Sequence, residues 1–255
     1  MSSTPTLLET AARLFFVCIG CKIGPPAEGP FCDSCTRVLT RAPSLCPTCW
    51  LPHPIESGGS CRFSSRRMTN EELPPPLFAL LNANPRTLGI LKAWKTGDLW
   101  GATDRYLFKK MRELAPELEV HIRNVIQPDW IVPVPQPPLR RFELHGGSTL
   151  RLARAWSGIT GRPWVDLLAP VFEGATRTKQ STLSLRERFE SPLEFRIRTS
   201  RSRLWLKGHT SPRILLVDDI VTSGRTLITA GQTLQREGYR IAGYLALGWR
   251  PANRQ

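Results

Sequence analysis

The sequence predicts an α/β protein, a mainly parallel sheet flanked by helices and preceded by a small cysteine-rich domain. Three observations carry this. All seven cysteines lie between residues 18 and 61. The remainder alternates short apolar runs with stretches of helical spacing, the pattern of a parallel sheet with crossover helices. Third, Ile214-Leu215-Leu216-Val217 is an apolar run too short for a helix of its own and suited to a strand buried on both faces. Asp218 and Asp219 follow it at once, then a Thr/Ser/Gly loop, then residues that open a helix.

At 255 residues and 41% hydrophobic content, the chain has enough apolar mass for a sizeable core. No apolar run approaches the roughly 20 residues that span a bilayer. Glu9 and Arg13 interrupt the N-terminal apolar patches, which argues against a signal peptide. The expected location is therefore the cytoplasm. A net charge of +14 points to a polyanionic partner, nucleic acid or a phosphorylated ligand; a merely basic, solvated surface is the alternative.

The cysteines come first in the chain. Cys18-x-x-Cys21 and Cys32-x-x-Cys35 are separated by ten residues, with Gly24, Pro25, Pro26, Gly29 and Pro30 to reverse the chain. Two thiolates from one tight turn and two from another suit tetrahedral Zn2+ in a structural site. Cys46, Cys49 and Cys61 offer three more thiolates, with His53 as a fourth ligand of a possible second site. The other reading is a decayed site and an exposed His53 between two prolines. The cysteine-rich domain is taken as residues 1–66. Residues 67–85, with Pro74-Pro75-Pro76, read as a linker, and residues 86–255 as the second domain.

From Arg86, apolar residues recur at helical spacing, and two helices are expected with a break at Thr96-Gly97-Asp98. Leu91 to Asp98 shows no evident chemistry, and its aromatics are read as core. Trp130 to Pro135 reads as a strand that leaves the sheet at its second proline. Pro135, Arg140 and Arg141 then form a rigid loop with two guanidiniums, able to hold pyrophosphate; a surface proline-rich turn is the alternative. Leu150 to Trp156 is a helix with Ser148 as its cap. Val165 to Phe172 is a candidate strand. Residues 176–190 are a polar flap or an exposed helix and loop.

Phe195 to Arg213 carries Arg196, Arg198, Arg201, Arg203, Lys207 and Arg213 with no acid, and Phe195 and Trp205 are interleaved. Charge for a backbone and rings for bases suit single-stranded nucleic acid. A basic hairpin that binds nothing is the alternative. After the acidic pair a helix runs to about Arg236, Gly238 ends it, and Ile241 to Leu247 makes a further strand.

The chemistry of the acidic stretch follows from its order. A loop entering a helix presents unpaired N–H groups at the positive end of the helix dipole. Thr222, Ser223 and Thr226 add hydroxyls, Gly224 permits close backbone approach, and Arg225 adds charge, which together form a phosphate cradle. Asp218 and Asp219 sit one loop away, placed to accept hydrogen bonds from sugar hydroxyls or to help hold a divalent cation. The two features describe a phosphorylated ribose. The bland reading is a buried strand whose acids cap the next helix.

Ile214 to Leu227 closely resembles the phosphoribosyl-pyrophosphate (PRPP) signature of type I phosphoribosyltransferases. The resemblance implies that Asp218 and Asp219 face the ribose and its Mg2+, and that Thr222, Ser223, Gly224, Arg225 and Thr226 face the 5′-phosphate. The order of cysteine knuckles, Lys92-x-x-Lys95-x-Gly97-Asp98, Val132-Pro133-Val134-Pro135, Gln180 with Leu183 and Arg188, and the PRPP signature is similar to the ComF family of competence-associated and GntX-like proteins, over nearly the full chain. That likeness implies a type I phosphoribosyltransferase-like fold, PRPP or a related phosphoribosyl ligand, and a role with the competence machinery in DNA uptake and natural transformation, handling single-stranded DNA. The alternative is an active transferase, a glycosyltransferase in class, moving ribose 5-phosphate from PRPP to a nucleobase-like acceptor in nucleotide salvage. No side chain stands out as its general base. The family's Arg-Gly-Phe-Asn-Gln word after the proline-rich loop is replaced here by Leu144-His145-Gly146-Gly147-Ser148, with Arg140 and Arg141 preceding it.

Overall fold

A parallel sheet forms the centre of the molecule. The structure, a computed structural model, describes residues 18, 31–40, 42, 75–96, 102–114, 116–136, 147–171, 194–198 and 211–250. Its strands are β1 (Leu77–Asn82), β2 (Trp130–Pro133), β3 (Leu168–Pro170), β4 (Phe195–Ile197), β5 (Arg213–Val221) and β6 (Arg240–Trp249). Its helices are α1 (Asp33–Arg37), α2 (Pro85–Thr96), α3 (Ala102–Leu114), α4 (Pro116–His121, continued by a π turn over Ile122–Ile126), α5 (Ser148–Thr160) and α6 (Arg225–Arg236). Four strands pair in the order β1-β6-β5-β2, every pair parallel. β3 and β4 form a separate antiparallel pair.

Side chains alternate across a strand, so each central strand feeds two cores. Leu215 and Val217 of β5 and Leu245 and Leu247 of β6 pack with Ile90, Leu91 and Trp94 of α2, Leu107 of α3, and Leu152 and Trp156 of α5. On the other face, Ile214, Leu216, Tyr244 and Ala246 pack with Leu227, Ala230 and Leu234 of α6. Full burial of each large aliphatic side chain contributes about 1.5–3 kcal/mol before entropy is counted. That double burial explains why β5 opens as an unbroken apolar run.

Helix α6 buries Leu227, Ala230, Gly231 and Leu234, the i, i+3, i+4, i+7 stripe of an amphipathic helix. Gly231 sets the distance to the sheet, since a Cβ there would lie 2.5 Å from the Tyr244 hydroxyl. The helix ends as expected at Arg236, with Gly238 beyond it in the left-handed region at φ 85°. The two helices expected here are α2, to Thr96, and α3, from Ala102; Gly97 and Asp98 lie outside the described residues.

Three elements differ from the sequence reading. β1 lies inside the stretch 67–85 read as linker, and it pairs with β6 from Leu77↔Tyr244 to Asn82↔Trp249. Its run Leu77-Phe78-Ala79-Leu80-Leu81 follows directly on Pro74–Pro76, and the proline signal masked it. The candidate strand over residues 165–172 contracts to β3, because Val165 instead donates its N–H to Ile131 O at 2.9 Å. Ser148 does not cap α5. The N-cap is Gly147, and the Ser148 hydroxyl is committed elsewhere.

The cysteine segment is joined to the same core. Cys18, Phe31, Cys35 and Leu39 are buried with the α2 and α3 side chains. The Phe31 and Tyr106 rings lie 5.1 Å apart, and the Tyr106 hydroxyl donates to Thr36 Oγ1 at 2.9 Å. Asn82 N–H donates to Thr40 O and Ala42 N–H to Leu80 O, so this segment covers the outer edge of β1.

Candidate functional site

The acidic pair lies where the sheet opens. β2 pairs with β5 only as far as Pro133↔Val217, with one further bond from Val134 N–H to Val217 O at 2.8 Å. β5 was expected to end at the aspartates. It continues to Val221 because β6 still pairs with it there, Asp218 against Ala246 and Ile220 against Gly248. Among the described residues, Asp218 and Asp219 therefore have a strand on one side and none on the other. They occupy the carboxyl end of a parallel sheet, where such folds bind ligands.

Asp219 is buried and surrounded by donors. Its Oδ2 accepts from the Ser148 hydroxyl at 2.7 Å and from Gln136 Nε2 at 3.0 Å, and it pairs with Lys95 Nζ at 2.9 Å. Its Oδ1 accepts the N–H of Ile220 at 2.7 Å. Gln136 Nε2 also lies 2.5 Å from Ser148 Oγ, and Gln136 Oε1 accepts the Ser148 N–H at 3.0 Å. The sequence reading missed Lys95, Gln136 and Ser148. Lys95 stands within Leu91–Asp98, a stretch read as plain core, and the one available signal was the Lys-x-Gly-Asp word. Trp94, by contrast, is core as expected.

Asp218 is in a different state. The residue is half-buried, and its Oδ1 accepts the Asp219 N–H at 2.8 Å. Burial is the main cause pushing its pKa up from 3.8 to about 7, and the Asp219 charge adds to it. The bond to the Asp219 N–H and the Lys95 charge act in the opposite sense.

The loop Thr222-Ser223-Gly224 leads from β5 into α6. Gly224 is the N-cap, held in the left-handed region at φ 75°. The first intrahelical bond is Ile228 N–H to Gly224 O at 2.9 Å, so the N–H groups of Arg225, Thr226 and Leu227 precede it. Ser223 Oγ accepts from Arg225 N–H at a long 3.4 Å. Thr222 is exposed, and Ser223, Arg225 and Thr226 are half-buried. The expected phosphate-binding residues thus share one loop and one helix start, after the acidic pair. Pro135 lies with Gln136, Thr149 and Asp166 around a small cavity of about 110 Å³ beside α5. Arg140 and Arg141 lie outside the described residues.

A second cluster is made by Cys18, Cys32 and Cys35, whose sulfurs all lie within 4.8 Å of one another. None of the three is in a disulfide. The Cys32 N–H donates to Cys18 Sγ at 3.3 Å, the kind of backbone bond that holds a thiolate ligand in place. Three converging sulfurs fit a tetrahedral metal with one further ligand. Cys21, Cys46, Cys49, His53 and Cys61 lie outside the described residues.

Of the basic stretch, Arg196 is exposed on β4. Arg198 is committed to the protein, donating from Nε to Leu168 O at 2.9 Å beside Asp166. Phe195 is buried in the core, not presented for stacking, because its strand packs that face inward. Arg201, Arg203, Trp205 and Lys207 lie outside the described residues. Among the described residues no helix is long and apolar enough to cross a membrane.

No family model matches the chain. It is 25% identical over 213 residues to the DNA utilization protein YhgH of Salmonella typhimurium (strain LT2), covering 81% of this chain and 85% of that one. The same figures hold for the DNA utilization protein YhgH of Salmonella typhi. Among solved structures, an adenine phosphoribosyltransferase from Leishmania tarentolae matches at TM-score 0.37 with 13% identity, over 70% of this chain and 94% of that one. Another adenine phosphoribosyltransferase matches at TM-score 0.36 with 18% identity, over 57% and 71%.

Proposed function

We propose that this chain is a ComF-like protein that binds PRPP or a related phosphoribosyl ligand and acts in DNA uptake, handling single-stranded DNA. The observation that carries the reading is the succession at the open end of β5: carboxylates at Asp218 and Asp219, then the loop Thr222 to Gly224, then the start of α6. In this reading the loop and the first turn of α6 take the 5′-phosphate, through backbone N–H groups, hydroxyls and Arg225. The carboxylates at the β5 end take the ribose hydroxyls. Pro135, with Arg140 and Arg141, takes the pyrophosphate. The names of the two Salmonella relatives support the DNA side of the reading, and the +14 charge suits a polyanion.

Cys18, Cys21, Cys32 and Cys35 would hold a structural Zn2+, which cross-links the first segment and fixes it against α2 and α3. For Mg2+ the protein's own donor set is poor, since Asp219 is already paired with Lys95 and its Oδ2 carries three donors. Any Mg2+ arriving with PRPP would rest chiefly on the ligand's phosphates.

Calorimetric titration of the zinc-loaded protein with PRPP and Mg2+, repeated with a short single-stranded DNA, tests the reading. PRPP binding together with steeply salt-dependent DNA binding supports it. PRPP binding with pyrophosphate release onto a nucleobase would make the protein a transferase instead. Absence of PRPP binding would overturn the ligand assignment.

A further inference from the structure

The acidic pair already has a cation. Lys95 Nζ lies 2.9 Å from Asp219 Oδ2, on a buried aspartate. An ionised carboxylate offers about four acceptor positions. Asp219 takes four donors, with Lys95, Ser148 and Gln136 crowded on Oδ2 and the Ile220 N–H on Oδ1. Oδ2 is thereby saturated, and the Lys95 charge already neutralises the carboxylate that a metal would need. Among the described residues Asp218 keeps its Oδ2 without a hydrogen bond, while Oδ1 holds the Asp219 N–H.

This arrangement is built into the core. Lys95 stands in the last turn of α2, next to the fully buried Trp94. Trp94 Nε1 donates to Asp104 at 2.5 Å, and its backbone carbonyl accepts from the Arg151 guanidinium. Arg151 pairs in turn with Asp104 at 3.2 Å and lies over the Trp94 ring at 4.9 Å. Ser148 and Arg151 are one turn apart on α5. One turn therefore holds Asp219 at its start and clamps the end of α2, which aims Lys95, at its finish. An exposed lysine pairs loosely and loses rotamer entropy in doing so. Here the clamp has fixed the backbone from which the amine reaches.

We propose that Lys95 is the resident counter-cation of the site, so that it binds a 5-phosphoribosyl group through Asp218 and the α6 loop without a divalent ion at the carboxylates. Lys95 is a positioning residue in this scheme. It neutralises and holds Asp219, and it leaves one carboxylate to meet the ribose hydroxyls. The inference rests on the phosphoribosyl reading above and narrows it. The ligand class becomes a ribose 5-phosphate unit, with any role of Mg2+ confined to a pyrophosphate that the ligand itself carries.

Ribose 5-phosphate is the probe, because it has the sugar and 5′-phosphate and lacks the pyrophosphate that recruits Mg2+. It is titrated calorimetrically into the zinc-loaded full chain in Mg2+-depleted buffer, prepared without a chelator so that zinc stays, and again with Mg2+ added. The wild type is expected to bind with a Kd changed less than about twofold by Mg2+. Lys95→Met is expected to bind about tenfold more weakly without Mg2+ and to recover part of that loss with it. Lys95→Arg keeps the charge and is expected to remain indifferent to Mg2+. Wild-type binding that appears only with Mg2+ would overturn the inference and leave the phosphoribosyl reading standing. So would Lys95→Met binding as tightly as wild type without Mg2+. Failure of the wild type to bind ribose 5-phosphate under either condition would overturn the reading and the inference together. The wild-type comparison decides the question even where Lys95→Met does not fold.

Discussion

Lys95 Nζ and Asp219 Oδ2 lie 2.9 Å apart, joining the end of α2 to the open end of β5. The amine keeps some contact with water and the carboxylate almost none, with side chains 22% and 10% exposed. Removing the amine strands a buried charge, which is costlier than the pair itself is favourable. Lys95→Met is therefore expected to lower unfolding free energy by about 1–3 kcal/mol. The double variant Lys95→Met/Asp219→Asn is expected to lose less than the sum of the two single losses. Urea unfolding of all four proteins gives the coupling. Additive losses would show that the contact contributes nothing.

Asp218 sets a pH dependence. Its folded pKa is raised to about 7 from 3.8, chiefly by burial. The folded state thus keeps a proton that the unfolded chain releases, and stability falls as pH rises from about 4 through about 7. Asp218→Asn removes that penalty. It is expected to melt higher than wild type at pH 8, with the gap closing towards pH 4. Parallel thermal melts across this range check it; a constant gap would mean that Asp218 titrates normally.

The cysteine cluster is coupled to the main fold through shared core. Cys18 and Cys35 are buried with Trp94 and Leu107. Cys32→Ser is expected to lower zinc content and to lower the melting temperature of the whole chain in one transition. Asp219→Ala is expected to keep zinc at the wild-type level. Metal analysis and calorimetric melting separate the two. Full zinc in Cys32→Ser would remove that thiolate from the site.

Two glycines make a matched pair. Gly224 holds φ 75° at the N-cap of α6, where a side chain costs about 1–2 kcal/mol. Gly158 lies inside α5, with open space for 4 Å around the position a Cβ would take. Gly224→Ala is expected to destabilise by about that amount and to weaken binding of a 5′-phosphate. Gly158→Ala is expected to stabilise by about 0.5–1 kcal/mol, the cost of glycine in a helix interior. Urea midpoints at unchanged slope report both.

Much of the fold and half of the site were legible in the chain itself. The apolar run Ile214 to Val217 signalled a doubly buried strand, because both faces of that part of the sheet are covered by apolar cores. The order of acids, hydroxyls and glycine after it marked the loop into α6, since that geometry is local and needs only neighbours in sequence. The end of α6 before Gly238 followed from local backbone preference in the same way. β1 did not, because adjacent prolines outweighed a short apolar run whose partner, β6, is distant. The surroundings of Asp219 were decided only by tertiary structure. Gln136 and Ser148 stand 83 and 71 residues from it in sequence, and Lys95 stands further still. Local spacing carries no information on such pairs. The sheet order brings β2 beside β5, α5 packs over their junction, and the clamp on Trp94 turns the end of α2 inward. Sequence thus set which residues the β5 end carries, and packing decided which partners its two carboxylates meet.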